Sequence, residues 1–92
     1  MIIGICQVQL RMPGCRSLKD KRKIIRSIID RTKKRFNVSI AEVERQDTWQ
    51  SAVLGIACVN TRKSAANAVI DRIIDLIEQS DAELVNYHID WL

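Results

Sequence analysis

SLKDKRKIIRSIIDRTKKRF, residues 17–36, is the segment around which this 92-residue chain is organised. Ser17 is a suitable N-cap, because its hydroxyl can accept a hydrogen bond from a first-turn N–H, and Asp20 completes a weak capping box. The apolar side chains then recur every three or four positions, as on one face of a helix, at Leu18, Ile25, Ile28, Ile29, Thr32 and Phe36. We therefore predict an amphipathic helix from Ser17 to Phe36.

The segments on either side of this helix have strand and helix patterns in turn. β-Branched and alternating residues predict strands at 2–12, 38–46, 51–60 and 82–92, and Asn60 or Thr61 is predicted to cap a second helix that runs to about residue 80. The order β-α-β-β-α-β, with two right-handed crossovers, predicts an α+β ferredoxin-like fold. In this fold both helices cover one face of a four-stranded antiparallel sheet. No linker interrupts the pattern, so we expect a single domain over residues 1–92.

The charge of +4 is unevenly distributed along the chain. Residues 1–40 contain eleven Lys and Arg against two Asp, a balance of +9, whereas residues 41–92 contain four against nine acids, a balance of −5. Such a polarised molecule can be steered toward a polyanion, or toward the acidic part of a second copy of itself. A homodimer is therefore one expected assembly.

The remaining composition indicates a cytoplasmic protein without cofactors. Cys6, Cys15 and Cys58 form no CxxC pair, which favours free thiols in a reducing compartment. Two glutamines interrupt the apolar stretch 2–10 and no charged segment precedes it, so we expect no signal peptide, and no apolar run is long enough to cross a membrane. One histidine in the whole chain excludes most metal-ligand sets.

Two segments resemble the YlxP-like family of bacterial proteins. Residues 17–22, SLKDKR, resemble the family's SLK(E/D)KR motif, and residues 41–50, AEVERQDTWQ, followed by Leu54 and Gly55, are similar to its second motif. The resemblance covers nearly the whole chain and implies a ferredoxin-like fold in the bacterial cytoplasm. It implies no defined activity, but members are often encoded near translation and ribosome-maturation genes, which favours RNA as a partner.

Positive charge is concentrated at the N-terminal end of the first helix, where a helix tolerates it least. The free N–H groups of that end already carry about half a positive charge, so basic residues there suggest that an anion binds. The candidate nucleic-acid or anion-binding residues are Arg16, Lys19, Lys21, Arg22, Lys23 and Arg26.

Two other interpretations explain the same residues without a ligand. The stems of Lys21 and Arg22 can cover the rim of the core while their charged ends reach water. Alternatively, both side chains can pair with carboxylates across the fold, at Glu42, Glu44 or Asp47. The sequence leaves all three interpretations open.

The outer face of the same helix is also basic and could follow a nucleic-acid backbone. This face comprises Lys19, Lys23, Arg26 and Lys34, with Arg31, Lys33 and Arg35 beside it. A solvated face supported by the i,i+4 pairs Arg26–Asp30 and Asp30–Lys34 is the alternative. The first and third strands contain no aromatic residue, so stacking of single-stranded RNA on the sheet is not expected, and structured RNA is favoured.

Three further residues have both a functional and a structural interpretation. Trp49 can contact a partner, or fold back over the core, which is the commoner arrangement for a loop tryptophan. His88 and Asp90 project from the same face of a strand and can form a general-base pair, but no nucleophile accompanies them and an exposed polar face explains them better. We predict no catalytic residue.

The sequence thus predicts a small non-enzymatic binding protein that contacts structured RNA or ribosomal assemblies through its basic first helix. The alternative is an oligomeric small-ligand-binding or regulatory module that uses the sheet face or a seam between subunits.

Overall fold

The predicted order of strands and helices is present in the computed structural model, which describes residues 1–92. The elements are β1 (Ile2–Arg11), α1 (Leu18–Arg35), β2 (Ser39–Glu44), β3 (Ser51–Asn60), α2 (Lys63–Glu78) and β4 (Glu83–Trp91). All neighbouring strands are antiparallel, in the order β2-β3-β1-β4. Both helices pack on one face of this sheet, which confirms the ferredoxin-like arrangement.

The two helices begin differently. Ser17 is the N-cap of α1, as predicted: its Oγ accepts from Asp20 N at 3.1 Å, and the Asp20 carboxylate accepts from Arg16 N at 3.2 Å. The predicted cap of α2 is wrong, because the N-cap is Arg62 and no side chain bonds there. Asn60 Oδ1 instead accepts from the backbone N–H groups of Thr61 and Arg62, which fixes the turn before the helix.

The core between the sheet and the helices is almost entirely aliphatic. Alternate residues of β1 and β3 point toward the helices, as the period of two requires, and meet the apolar stripes of α1 and α2. The largest of these fully buried residues are Val8, Leu10, Ile28, Leu54, Ile56, Ile70, Ile73 and Ile77. Phe36 and Trp91 pack only at the edge of this cluster, so aliphatic contacts supply most of the packing.

A bulge divides β4. The register against β1 shifts between Gln9 and Leu10, which pair with Asn86 and Leu84, so Val85 is left without a partner on β1. Strict alternation along β4 would place Val85 on the same side as Tyr87, but the bulge prevents this. Val85 is exposed and lines a hollow with Gln9, because the extra residue reverses the alternation of the strand.

Gly4 leaves room for the indole ring of Trp91 to lie against β1. A Cβ atom at this position would lie 2.9 Å from Trp91 Cζ3 and 3.3 Å from Ile70 Cδ1. Real Cβ atoms essentially never make a contact as short as 2.9 Å, so any larger residue must displace the Trp91 ring from its place over the strand.

We expect Gly4→Val to lower the free energy of unfolding by about 1–3 kcal/mol, because the added atoms overpack this contact. Urea unfolding followed by circular dichroism measures the change. Gly14→Val is the matched control, since nothing lies within 4 Å of a Cβ atom at Gly14. Equal midpoints for the two variants would contradict this account of Gly4.

Candidate functional site

Lys21 is buried inside the protein. Its side chain is 1% exposed, although it lies in the second turn of a helix whose other cations face solvent. It precedes the buried Ile25 by four residues and therefore shares its face. Its Nζ lies 2.8 Å from Glu42 Oε2 on β2 and donates a hydrogen bond to the Arg45 carbonyl oxygen.

This arrangement corrects one candidate site residue. The sequence predicts that Lys21 binds an external anion together with its neighbours, but an ammonium group enters a protein interior only when it is paired and hydrogen-bonded. Glu42, which is 18% exposed, supplies that countercharge. The prediction for Lys21 is therefore wrong, and pairing across the fold, one of the two alternative interpretations, accounts for this residue.

The other predicted basic residues are exposed and form no ion pair. The structure has three contacts between basic and acidic side chains within 4.0 Å: Arg11–Glu83, Lys21–Glu42 and His88–Asp90. Neither of the predicted pairs Arg26–Asp30 and Asp30–Lys34 is among them, so that prediction is wrong. Nine exposed cations of residues 16–35 therefore keep their charge available: Arg16, Lys19, Arg22, Lys23, Arg26, Arg31, Lys33, Lys34 and Arg35.

Seven of these cations lie on three sides of α1. Lys19, Lys23, Arg26 and Lys34 lie opposite the buried stripe, on a surface that we call the outer basic face. Arg22 turns toward β2, where it and Arg26 border a hollow of about 220 Å³ that also contains Glu42. The side of α1 nearest α2 carries Arg31 and Arg35, each of which lines a hollow together with residues of or just after α2.

The β2–β3 hairpin lies beside the start of α1. Gln50 O accepts from Met12 N at 3.0 Å, and Gln50 Nε2 donates to the carbonyls of Pro13 and Cys15 at 3.4 and 3.3 Å. These bonds attach the hairpin to the loop before α1, while Lys21 attaches it to the helix itself. Trp49 is consequently held at the same end of the molecule as Arg16.

Trp49 is 50% exposed and is not part of the core or of the residues packed against it. The favoured interpretation of this residue as a cover over the core is therefore wrong. Its neighbour Gln50 faces the β1–α1 loop, which leaves the indole turned to solvent. Partner contact through Trp49 remains a prediction.

Sequence reasoning missed Arg45, which connects the hairpin to both the helix and β3. Its φ of 64° lies in the left-handed region, which a non-glycine residue adopts only when its surroundings hold it there. Lys21 Nζ and Thr48 N donate to its carbonyl, and its Nη1 donates to Ser51 Oγ at 2.7 Å. No periodicity in the sequence could reveal this, because the contacts depend on where α1 crosses the sheet.

The cysteines are buried free thiols. Burial raises the pKa of Cys6 to about 11 and also raises the pKa of Cys58. At Cys15 burial raises the pKa most, Asp20 raises it further and Lys21 opposes both. A thiol with a raised pKa is a poor nucleophile at neutral pH, because the thiolate is the reactive form.

His88 and Asp90 lie on the side of β4 that faces away from the helices. His88 Nε2 is 3.8 Å from Asp90 Oδ2, and both side chains are mostly exposed. The exposure of both side chains agrees with the prediction of an open polar strand face.

Neither α1 nor α2 is long and apolar enough to cross a membrane.

Sequence comparison relates this chain to proteins of unknown function. A family model described as "Protein of unknown function (DUF503)" matches residues 3–89. The uncharacterized protein YlxP of Bacillus subtilis (strain 168) is 34% identical over 77 residues, which cover 84% of each protein. The family that the two sequence motifs resemble is thus the family that the whole-chain comparison finds.

Three solved structures share the fold. The structural-genomics protein YJCS has a TM-score of 0.62 at 13% identity, with 96% of each chain covered. The de novo designed proteins Foldit4 and LFR1 1, the latter described as a ferredoxin fold, each have a TM-score of 0.53, at 16% and 17% identity. They cover 98% and 100% of this chain, and 96% and 84% of their own. At these identities the similarity concerns the fold alone.

Replacing Lys21 should expose the cost of the buried pair. We expect Lys21→Met to lower the free energy of unfolding by about 3 kcal/mol, because it leaves the Glu42 carboxylate without a countercharge. The double variant Lys21→Met, Glu42→Leu should recover most of that loss, since both charges are then absent. Chemical denaturation of the four proteins of this cycle measures the coupling.

Lys19→Met is the matched control for this cycle, because it removes the same charge at an exposed position of the same helix. It should alter stability by less than about 0.5 kcal/mol. The buried-pair account would be contradicted by a double variant as unstable as Lys21→Met alone.

The thiols should be unreactive in the folded protein. At pH 8, Ellman's reagent should label none of the three cysteines within minutes under native conditions, and all three in urea, because burial both shields them and disfavours the thiolate. Rapid native labelling of even one thiol would show that its side chain is accessible.

Proposed function

Since the chain belongs to the DUF503 family of proteins of unknown function, we propose its role from its own residues: it is a small cytoplasmic protein without catalytic activity that binds structured RNA. The outer basic face of α1 contacts the RNA backbone, with Arg16 and Arg22 beside it. Ribosomal RNA, free or within an assembling ribosome, is the proposed target.

The observation that carries this proposal is the unequal treatment of cations within one helix. The single buried cation, Lys21, is neutralised by a carboxylate, whereas the eight exposed ones of α1 have no acidic partner. Cations left unpaired over a whole face repel one another and destabilise the free protein, so a polyanion that neutralises them gains binding energy. Solubility alone does not require this concentration of charge.

The shape of the outer basic face supports RNA with paired backbones. From Lys19 to Lys34 the helix rises about 22 Å, so its side chains can reach several successive phosphates along a groove. Contacts of this kind are blind to sequence and depend on salt. Single strands stacked along the sheet are disfavoured, because no aromatic residue lies on β1 or β3.

A second candidate function draws on the open face of the sheet. On this face Val43 and Val59 are exposed, and Ile3 and Ile5 are half-buried. Such contiguous apolar residues are typical of surfaces that bind a partner. A homodimer formed through this face would create the seam in which a small ligand or regulator binds. RNA binding by α1 does not require the dimer, and the two functions can be tested separately.

Charge reversal on the outer basic face should weaken RNA binding. We expect Lys23→Glu, Arg26→Glu to bind a folded ribosomal RNA fragment at least about tenfold more weakly at low salt. The slope of log K against the logarithm of the salt concentration should become shallower by about two, because two phosphate contacts are lost. Fluorescence anisotropy over a series of salt concentrations measures both quantities.

The matched control is Arg62→Glu, Arg72→Glu, which changes the net charge equally but at α2. It should retain most of the affinity. Equal losses in the two variants would assign the binding to net charge rather than to α1. A wild-type protein that binds no RNA at low salt, yet sediments as a stable dimer, would favour the second candidate function.

A further inference from the structure

Two adjoining hollows flank the loop of the β2–β3 hairpin. One has a volume of about 390 Å³ and is lined by Asp47, Thr48, Trp49 and Gln50. The other, of about 380 Å³, lies where the hairpin meets the open face of the sheet, and Gln50 lines it as well. Both are open to solvent, so they offer contact surfaces rather than enclosed cavities.

Two arginines line the second hollow, and their guanidinium groups are held by different elements. Arg11 of β1 donates from Nε and Nη2 to Glu83 Oε2 at 3.0 and 2.8 Å, and Arg45 donates from Nη1 to Ser51 Oγ at 2.7 Å. Each group is thereby oriented while it keeps further N–H donors for a ligand. The two cations and one carboxylate have a net charge of +1, which would balance the single negative charge of a phosphodiester.

The first hollow offers a surface for an aromatic ring. The half-exposed indole of Trp49 is a suitable platform for a nucleobase, since proteins commonly stack unpaired RNA bases on such side chains. Asp47 and Thr48 also line this hollow and carry side-chain groups that can bond to the edge of a base. Because Gln50 borders both hollows, a base in one and its phosphate in the other can belong to the same nucleotide.

We infer that the hairpin holds one unpaired nucleotide of the RNA, with its base stacked on Trp49 and its phosphate between Arg11 and Arg45. This inference rests on the proposed function and specifies its target: a structured RNA from which a single nucleotide protrudes. The outer basic face supplies affinity for the paired backbone, and the hairpin selects the protruding base.

The test uses two RNA hairpins that differ only by one bulged nucleotide in the stem. Wild-type protein should bind the bulged hairpin about tenfold more tightly than the fully paired one, as the stacking of one base allows. Trp49→Ala and Arg45→Gln should each abolish this preference while leaving affinity for the paired hairpin unchanged. Gln46→Ala, in the same loop but lining neither hollow, is the matched control and should keep the preference.

The outcomes separate this inference from the proposed function. Equal wild-type affinities for the two hairpins would overturn the nucleotide site, and so would an equal loss on both hairpins in Trp49→Ala. Neither result would affect the proposal that α1 binds RNA. The variant Lys23→Glu, Arg26→Glu tests that proposal, because it should lower the affinity for both RNA hairpins equally. Failure of the wild type to bind either hairpin would overturn both proposals. Thermal melting of the protein verifies that Trp49→Ala, Arg45→Gln and Gln46→Ala are folded.

Discussion

The contact of the buried Lys21 ammonium with Glu42 and with the Arg45 carbonyl sets the arrangement of one whole end of this protein. It joins Lys21 of α1 to β2 and to the hairpin loop, at residues that follow it by more than twenty positions. A charge buried in this way tolerates little displacement, because moving away from its carboxylate leaves both groups desolvated and unpaired. The contact therefore fixes where Trp49 and Arg45 lie relative to the exposed cations of the helix.

The same helix uses its basic residues for opposite purposes. One cation is placed inside, where it determines how α1 sits on the sheet, and the others remain outside without acidic partners. The three at its C-terminal end, Lys33, Lys34 and Arg35, also complement the helix dipole, whereas those near the N-terminal end oppose it. The N-terminal half of α1 is thus the part whose charge local stability does not explain, and it is the half nearest the hairpin.

Much of the fold follows from residue patterns, because strand and helix periods, the Ser17 cap and the aliphatic stripe are all local properties. The details that fail depend on distant parts of the chain. Lys21 looks like its basic neighbours until β2 places a carboxylate beside it, and the position of Val85 depends on a bulge against β1. Trp49 was expected over the core, but Gln50 anchors the hairpin instead and leaves the indole outside.

The position of β1 in the middle of the sheet affects how the chain reaches its folded state. β1 precedes the other three strands of the sheet along the chain, yet one of its two neighbours is β4, about eighty residues later. Until residues 83–91 have been made, one edge of β1 has no partner, and the apolar residues beneath it stay accessible. Pairing of strands so far apart along the chain is slow, because a long loop must close first, and an unpaired strand edge is open to other partners until β4 is in place.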